Sequence, residues 1–133
     1  MDKQLTIMEA VFQALGDKTR LRILGLLLTG EVCVCHIHES LGVSQPKASR
    51  HLAYLRRSGL VETRRQGLWV YYRLADSSDA LIRTLREVVT HTLAHVVTVR
   101  RDAARLQKKT GCCVPAASTP PAYACCENAS ASV

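Results

Sequence analysis

The sequence has few aromatic residues and no long apolar run. Only 5% of its 133 residues are aromatic, although 47% are hydrophobic. No stretch reaches the roughly 20 apolar residues that a membrane-spanning helix needs. The first residues, MDKQLTIMEA, lack the basic and apolar segments of a signal peptide. These absences predict a mainly helical, cytoplasmic protein with no membrane partner.

Signatures of catalysis are also missing. The sequence has no glycine-rich phosphate loop, no candidate Ser-His-Asp set and no Cys-x-x-Cys motif after a predicted strand. Its six cysteines are better interpreted as thiols or metal ligands than as a disulfide framework, because the cytoplasm is reducing. We therefore predict that the protein is not an enzyme. The alternative, a thiol oxidoreductase, would turn over a disulfide substrate.

Basic residues are in excess and are clustered. The chain has 18 basic and 11 acidic residues, a formal net charge of +7, which suits a polyanionic partner. The segment 45–65 contains one acid, Glu62, and six basic residues: Lys47, Arg50, Arg56, Arg57, Arg64 and Arg65. A charge run is usually only a solvated face, so its meaning depends on the elements that carry it.

Four helices are predicted before residue 60. Apolar residues recur at steps of three and four, and capping residues mark the helix ends. The helices span about 4–15, 17–30, 33–41 and 44–58, with Asp17 and Ser44 as N-caps and Gly30, Gly42 and Gly59 at the ends.

The segment after Gly59 predicts a β-hairpin and then one long helix. LVETRR and LWVYYRL are rich in β-branched or aromatic residues and flank Gln66-Gly67, which suits a tight turn. Asp76, Ser77 or Ser78 is expected to cap a helix that ends near Lys109. Its predicted apolar face comprises Leu81, Leu85, Val88, Val89, Leu93, Val96 and Val97. We expect residues 1–110 to form one domain and 111–133 a flexible tail.

This order of elements predicts a mainly α winged helix-turn-helix that binds double-stranded DNA. Ala48, Leu52 and Leu55 face inward in the fourth helix. Gln45, Ser49 and Arg50 suit base edges, and Lys47, Arg56 and Arg57 suit phosphates. The predicted DNA contacts are Ser44, Gln45, Lys47, Ser49, Arg50, His51, Tyr54, Arg56 and Arg57, with Arg64 and Arg65 on the wing. His51 is expected to contact DNA or to pack against the protein.

The sequence contains GEVCVCHI, then SQPKASRHLAYLRRSGLV, then RRQGLWVYYRL. Together these segments resemble the ArsR/SmtB family of metalloregulatory repressors. The resemblance covers about residues 4–100. It implies a homodimer held by the first and last helices, an inverted-repeat operator and release of DNA when an inducer binds. The long apolar face of residues 81–97 independently favours a dimer.

The resemblance also assigns a role to Cys33 and Cys35. They fall where the arsenic-responsive branch has a segment like ELCVCDL, whose cysteines bind trivalent arsenic or antimony. Here His36 replaces the usual acid, and His38 stands near the place of a third cysteine. Two cysteines two apart lie about 200° apart on a regular helix. Sharing one ion therefore requires a frayed helix start or a distorted helix, and such distortion would displace the recognition helix.

Two thiol sites are compatible with the sequence. One combines Cys33 and Cys35 with a tail thiol, and the other combines Cys112 and Cys113 with Cys125 or Cys126. Adjacent cysteines suit a methylated trivalent arsenical, which has two open positions. Cadmium, lead or a change of thiol redox state is the alternative inducer.

The histidines are not expected to bind a metal. His91 and His95 lie four apart on the predicted long helix, but the partner motif of the zinc-responsive branch is missing. We interpret them as interface or surface residues. His36 and His38 are predicted to face solvent.

Overall fold

The structure, a computed structural model, describes residues 2–109. A turn of 3-10 helix, Leu27–Thr29, extends the second α-helix. The elements are α1 (Asp2–Leu15), α2 (Lys18–Leu26), β1 (Val32–Cys33), α3 (Val34–Leu41), α4 (Gln45–Arg57), β2 (Val61–Gln66), β3 (Trp69–Leu74), α5 (Ala80–Leu93) and α6 (Val97–Lys109).

Local capping fixes the start of α2 and of α4, as predicted. The Asp17 carboxylate accepts a hydrogen bond from the Arg20 amide at 3.1 Å, and the Ser44 hydroxyl accepts one from the Lys47 amide at 3.3 Å. Each satisfies an amide that the helix itself leaves without a partner. Gly42, at φ 72°, ends α3 in the left-handed conformation that glycine adopts at little cost. The helix-turn-helix is therefore set by local chemistry at both ends of its turn.

The hairpin forms the wing and is part of a three-stranded sheet. β3 lies between β1 and β2, and both pairings are antiparallel. Gln66 pairs with Trp69, so the turn is Gly67-Leu68, one residue later than predicted. The sequence predicted only helices before residue 60, which was wrong at one point, because Val32 and Cys33 form a short strand that pairs with β3.

One apolar core joins the helices to the base of the wing. Ala48, Leu52 and Leu55 of α4 are fully buried, as predicted. The core is completed by residues of the other elements, among them Val11, Ile23, Leu26, Ile37, Leu60, Val61 and Ile82. α4 is thereby held against α2 and α3 by its inner face, and its outer face is left for solvent.

The predicted long helix is in fact two helices, which is a correction. α5 begins after the cap residue Asp79, not at residues 76–78, and it ends at Leu93. The amides of His95 and Val96 bond back three residues, to the carbonyls of Thr92 and Leu93, which makes a tight turn. The sequence VVTV at 96–99 is entirely β-branched and disfavours a continuous helix.

The turn sends α6 back across α2 and α3. Val99 and Leu106 join the core, and the fully buried Asp102 pairs with Arg22 of α2. Arg105 donates to the Ser40 carbonyl, and Arg22 donates to the Leu41 carbonyl, both at the end of α3. α6 therefore contacts the helix that leads into the recognition helix.

Within residues 2–109, no helix is long and apolar enough to cross a bilayer.

Candidate functional site

The outer face of α4 is polar, basic and accessible. Arg50 and Arg57 lie seven residues apart, two turns along the same face. Ser49 is half-buried. The other predicted contact residues that are exposed are Ser44, Gln45, Lys47 and Arg56. A helix with guanidinium and amide groups on its free face has the donors that base edges and phosphates accept in the major groove.

His51 and Tyr54 face the protein rather than the free side of α4. Arg20 donates to the Gln13 and Ala14 carbonyls at the end of α1 and to Nδ1 of His51 at 3.3 Å. Its guanidinium carbon lies 4.2 Å from the centroid of the Tyr54 ring, and the Tyr54 hydroxyl donates to Gln13. These two side chains of the recognition helix therefore contact the α1–α2 junction.

The surroundings of His51 favour its neutral form. Burial lowers the pKa of His51, and the nearby cations Arg20, Lys47 and Arg50 lower it further, while Asp17 opposes them. Because arginine only donates, the bond from Arg20 places the acceptor lone pair on Nδ1 of His51. A proton on that nitrogen would break the bond.

Arg64 and Arg65 occupy different environments on the wing. Arg65 is exposed. Arg64 binds both carboxylate oxygens of Glu31, with Nη2–Oε1 2.6 Å and Nε–Oε2 3.0 Å, and donates to Gln66 at 2.8 Å. Hydrogen bonding to Arg64 lowers the pKa of Glu31 and the same bond raises the pKa of Arg64. Arg65 is therefore available to a phosphate at once, whereas Arg64 must first leave Glu31.

Cys33 and Cys35 come together at the start of α3. Their sulfurs are 3.0 Å apart and buried. Cys33 is the N-cap residue and has an extended backbone, so it lies outside the regular helix that contains Cys35. Tyr71 and Trp69 of β3 pack against the pair. Of the two arrangements that the spacing allowed, a frayed helix start and a distorted helix, the structure therefore has the first.

This geometry removes the need for a distorted helix. The sulfurs already lie within reach of one soft ion, since metal–thiolate bonds of about 2.3 Å are typical. A mechanism in which an ion must first draw the two cysteines together is therefore not required. The pair contacts Tyr71 and Trp69 of β3, and Cys35 is part of α3.

The histidine predictions were partly wrong. His36 and His38 are 4% and 6% exposed, not solvent-facing. His38 donates from Nδ1 to the Val43 carbonyl at 3.1 Å and so stabilises the turn before α4. His91 and His95 are exposed, with ring centroids 5.5 Å apart, but the helix that was expected to carry both ends between them. Among residues 2–109, no three His, Cys, Asp or Glu side chains converge as a metal site.

Cys112, Cys113, Cys125 and Cys126 lie outside the described residues.

Several residues of the site had not been predicted. Trp69 and Tyr71 pack against Cys33 and Cys35, Glu31 binds Arg64, and Arg20 contacts His51 and Tyr54. A predicted strand at residues 32–33, paired in register with β3, would have placed Glu31, Trp69 and Tyr71 near this site. Two residues are too few for a period-two pattern to show.

Comparison with known proteins agrees with this geometry. Residues 17–63 match the family model described as bacterial regulatory protein, arsR family. The arsenic resistance transcriptional regulator ArsR2 of Pseudomonas putida is 47% identical over 79 residues, which are 59% of this chain and 69% of that protein. The arsenical resistance operon repressor of Escherichia coli is 56% identical over 66 residues. That match covers 49% of this chain and 56% of the repressor, so the chain spans little more than half of its length.

A solved structure supports the fold. The solution structure of the homodimeric winged helix-turn-helix DNA-binding domain Mb0332 from Mycobacterium bovis has a TM-score of 0.60 at 33% identity. It covers 72% of this chain and 86% of that one, and it is described as a possible ArsR-family regulator. The winged helix-turn-helix prediction is confirmed, and this fold and family are those of a DNA-binding transcriptional regulator rather than an enzyme. The chain belongs to the arsR family of bacterial regulatory proteins.

Proposed function

We propose that the protein is a dimeric repressor whose α4 and β2–β3 wing hold operator DNA until trivalent arsenic or antimony binds its cysteine thiolates. The observation that carries the proposal is the 3.0 Å separation of the Cys33 and Cys35 sulfurs beside the wing strand β3. Soft thiolates select soft ions. The positive end of α3 also favours negative charge at its first residues. The names of the two bacterial relatives support an arsenical inducer.

A third sulfur would have to come from elsewhere. Two cysteine sulfurs, those of Cys33 and Cys35, lie in the described residues, whereas a trigonal arsenic or antimony site takes three. We therefore propose Cys112 or Cys113 as the third ligand, with Cys125 and Cys126 as further candidates. The site made of tail cysteines alone is the competing model, and a methylated arsenical would need two thiols in either.

Release of labelled operator DNA, followed by fluorescence anisotropy, tests this function. Reduced protein is titrated with arsenite, antimonite, monomethylated trivalent arsenic and cadmium. Single Cys→Ser variants at all six positions are compared. Cys33→Ser and Cys35→Ser should bind the operator normally but resist release. If release persists in both, the tail-only site is correct, and if cadmium acts below the arsenite concentration, the inducer assignment is wrong.

The dimer would use the exposed apolar residues of α1 and α5. Leu5 and Phe12 lie two turns apart on α1 and are 59% and 51% exposed, and Val88 of α5 is 59% exposed. α6 is already packed on α2 and α3, so α5 takes the place of the predicted last helix. We expect Phe12→Glu and Val88→Glu to give monomers in light scattering. Leu68→Glu, at the exposed wing turn, is the control and should stay dimeric.

A change of cysteine redox state is the alternative trigger, since thiols oxidise reversibly to disulfides. Operator affinity measured with and without peroxide in metal-free buffer distinguishes this redox switch from metalloid sensing. An unchanged affinity would remove it.

A further inference from the structure

One row of side chains crosses the sheet from the thiols to the wing. Cys33 of β1 lies opposite Tyr71 of β3, and Tyr71 lies opposite Arg64 of β2. Residues directly opposite each other on antiparallel strands place their side chains on the same face. The Tyr71 ring is buried with both cysteines, and the guanidinium carbon of Arg64 lies 4.8 Å from its centroid.

Glu31 connects the two ends of this row. It lies two residues before Cys33 and directly before β1. It holds Arg64 through two charge-assisted hydrogen bonds, at 2.6 and 3.0 Å, across 33 residues of sequence. The residue directly before the strand of Cys33 therefore also holds a basic side chain of the wing.

We propose that Glu31 regulates the wing: it keeps Arg64 from the operator when the thiols carry their ligand, and it yields Arg64 to a DNA phosphate when they do not. This inference rests on the proposed function and names the route by which the thiol site acts on DNA.

The physical basis is competition for one guanidinium. A ligand that bridges Cys33 and Cys35 fixes Cys33, and with it both Tyr71 and Glu31, in the arrangement that holds Arg64. An operator phosphate needs the same guanidinium. A ligand shifts an equilibrium only by favouring one state over the other. Here the ligand favours the state in which Arg64 binds Glu31, and DNA favours the state in which Arg64 binds a phosphate. Bound ligand therefore weakens the binding of DNA, and bound DNA weakens the binding of the ligand by the same factor.

The first test uses reduced, metal-free protein and two matched variants. Glu31→Gln removes the charged partner of Arg64. Glu62→Gln removes an equal charge from the same sheet, where Glu62 pairs with Arg73 at 2.7 Å outside the row. We expect Glu31→Gln to bind operator about two- to fivefold tighter, the range of an exposed ion pair. The operator affinity of this variant should also fall more steeply with salt concentration, by the release of about one more counterion. Glu62→Gln should resemble the parent protein.

The second test adds saturating arsenite. Glu31→Gln should lose less operator affinity than the parent and Glu62→Gln proteins do. In an Arg64→Met background, Glu31→Gln should have no effect. The inference is overturned if the two glutamine variants behave alike, or if the Glu31→Gln effect survives without Arg64. If arsenite does not lower the operator affinity of the parent protein, the proposed function is wrong. The metal-free comparison of Glu31→Gln with Glu62→Gln would then test, by itself, whether Glu31 restrains Arg64.

Discussion

Asp102 of α6 accepts two hydrogen bonds from Arg22 of α2, one from Nε at 2.9 Å and one from Nη2 at 2.8 Å, across 80 residues of sequence. The Asp102 side chain is 1% exposed and that of Arg22 is 27% exposed. Hydrogen bonding to Asp102 raises the pKa of Arg22. This ion pair attaches α6 to the helices that hold the recognition helix.

We expect Asp102→Ala to lower the free energy of unfolding by about 1–3 kcal/mol, because two charge-assisted hydrogen bonds are lost while the remaining Arg22 is partly exposed. Urea denaturation measures the loss. Glu62→Ala breaks an exposed pair with Arg73 and should cost about 1 kcal/mol or less. Equal losses in the two variants would show that Asp102 is not a structural ion-pair partner.

Gly25 allows α2 and α6 to approach closely. A Cβ added at Gly25 would lie 2.5 Å from Cγ1 of Val99, too close for either helix to keep its place. Gly25→Ala should therefore destabilise the protein by about 1–3 kcal/mol, as overpacking does. Adding Val99→Ala should recover part of that loss, so the double variant is more stable than the two single losses predict. Strictly additive urea midpoints would contradict this contact.

His51 should make stability depend on pH. Its pKa is lowered in the folded protein, chiefly by burial. The unfolded chain therefore binds more protons just below about pH 6.5, and stability falls as the pH drops through that value. His51→Gln keeps an acceptor for Arg20 and should lose less stability between about pH 7.5 and 5.5. Lys47→Gln should move the same way by a smaller amount.

Thermal melting across that pH range measures both effects. Subtracting the variant curve from the parent curve removes the contribution of the other histidines. Parallel curves for the parent and His51→Gln would rule out His51 as the source.

Replacing Arg50 and replacing Arg65 should weaken operator binding in different ways. Arg50 lies on the free face of α4, so Arg50→Ala should cost about 1–3 kcal/mol of operator binding and relax base preference at one position. Arg65→Ala removes a phosphate contact. It should weaken binding equally on all sequences and reduce the salt slope by about one. Selection of preferred sequences from a random duplex pool, with titrations in salt, separates the two outcomes.

Local features of this fold could be predicted and distant ones could not. Asp17, Ser44 and Gly42 act on residues within one turn, so their roles are visible in the sequence. The β-branched run at 96–99 weakens the helix locally, but the direction that α6 takes after the break depends on the distant pair of Asp102 with Arg22. The burial of His36 and His38 likewise depends on distant elements, since α3 lies against α4, α6 and β3.

At the thiol site, the exact residue at which α3 begins decides whether the two sulfurs can meet. Had α3 begun before Cys33, the two sulfurs would point apart. Because Cys33 is the cap and not the first helical residue, they meet. Helix ends are uncertain by a residue or two from sequence, so the spacing alone left both outcomes open.

Trp69 gives the protein a built-in optical probe. It is the only tryptophan in the chain, and it is half-buried against the cluster of Cys33, Cys35 and Tyr71. An ion that settles on those sulfurs changes the surroundings of the indole, so its emission should report occupancy directly, without dye or DNA. Binding and release can thus be timed separately in one cuvette, and the order in which they occur becomes measurable.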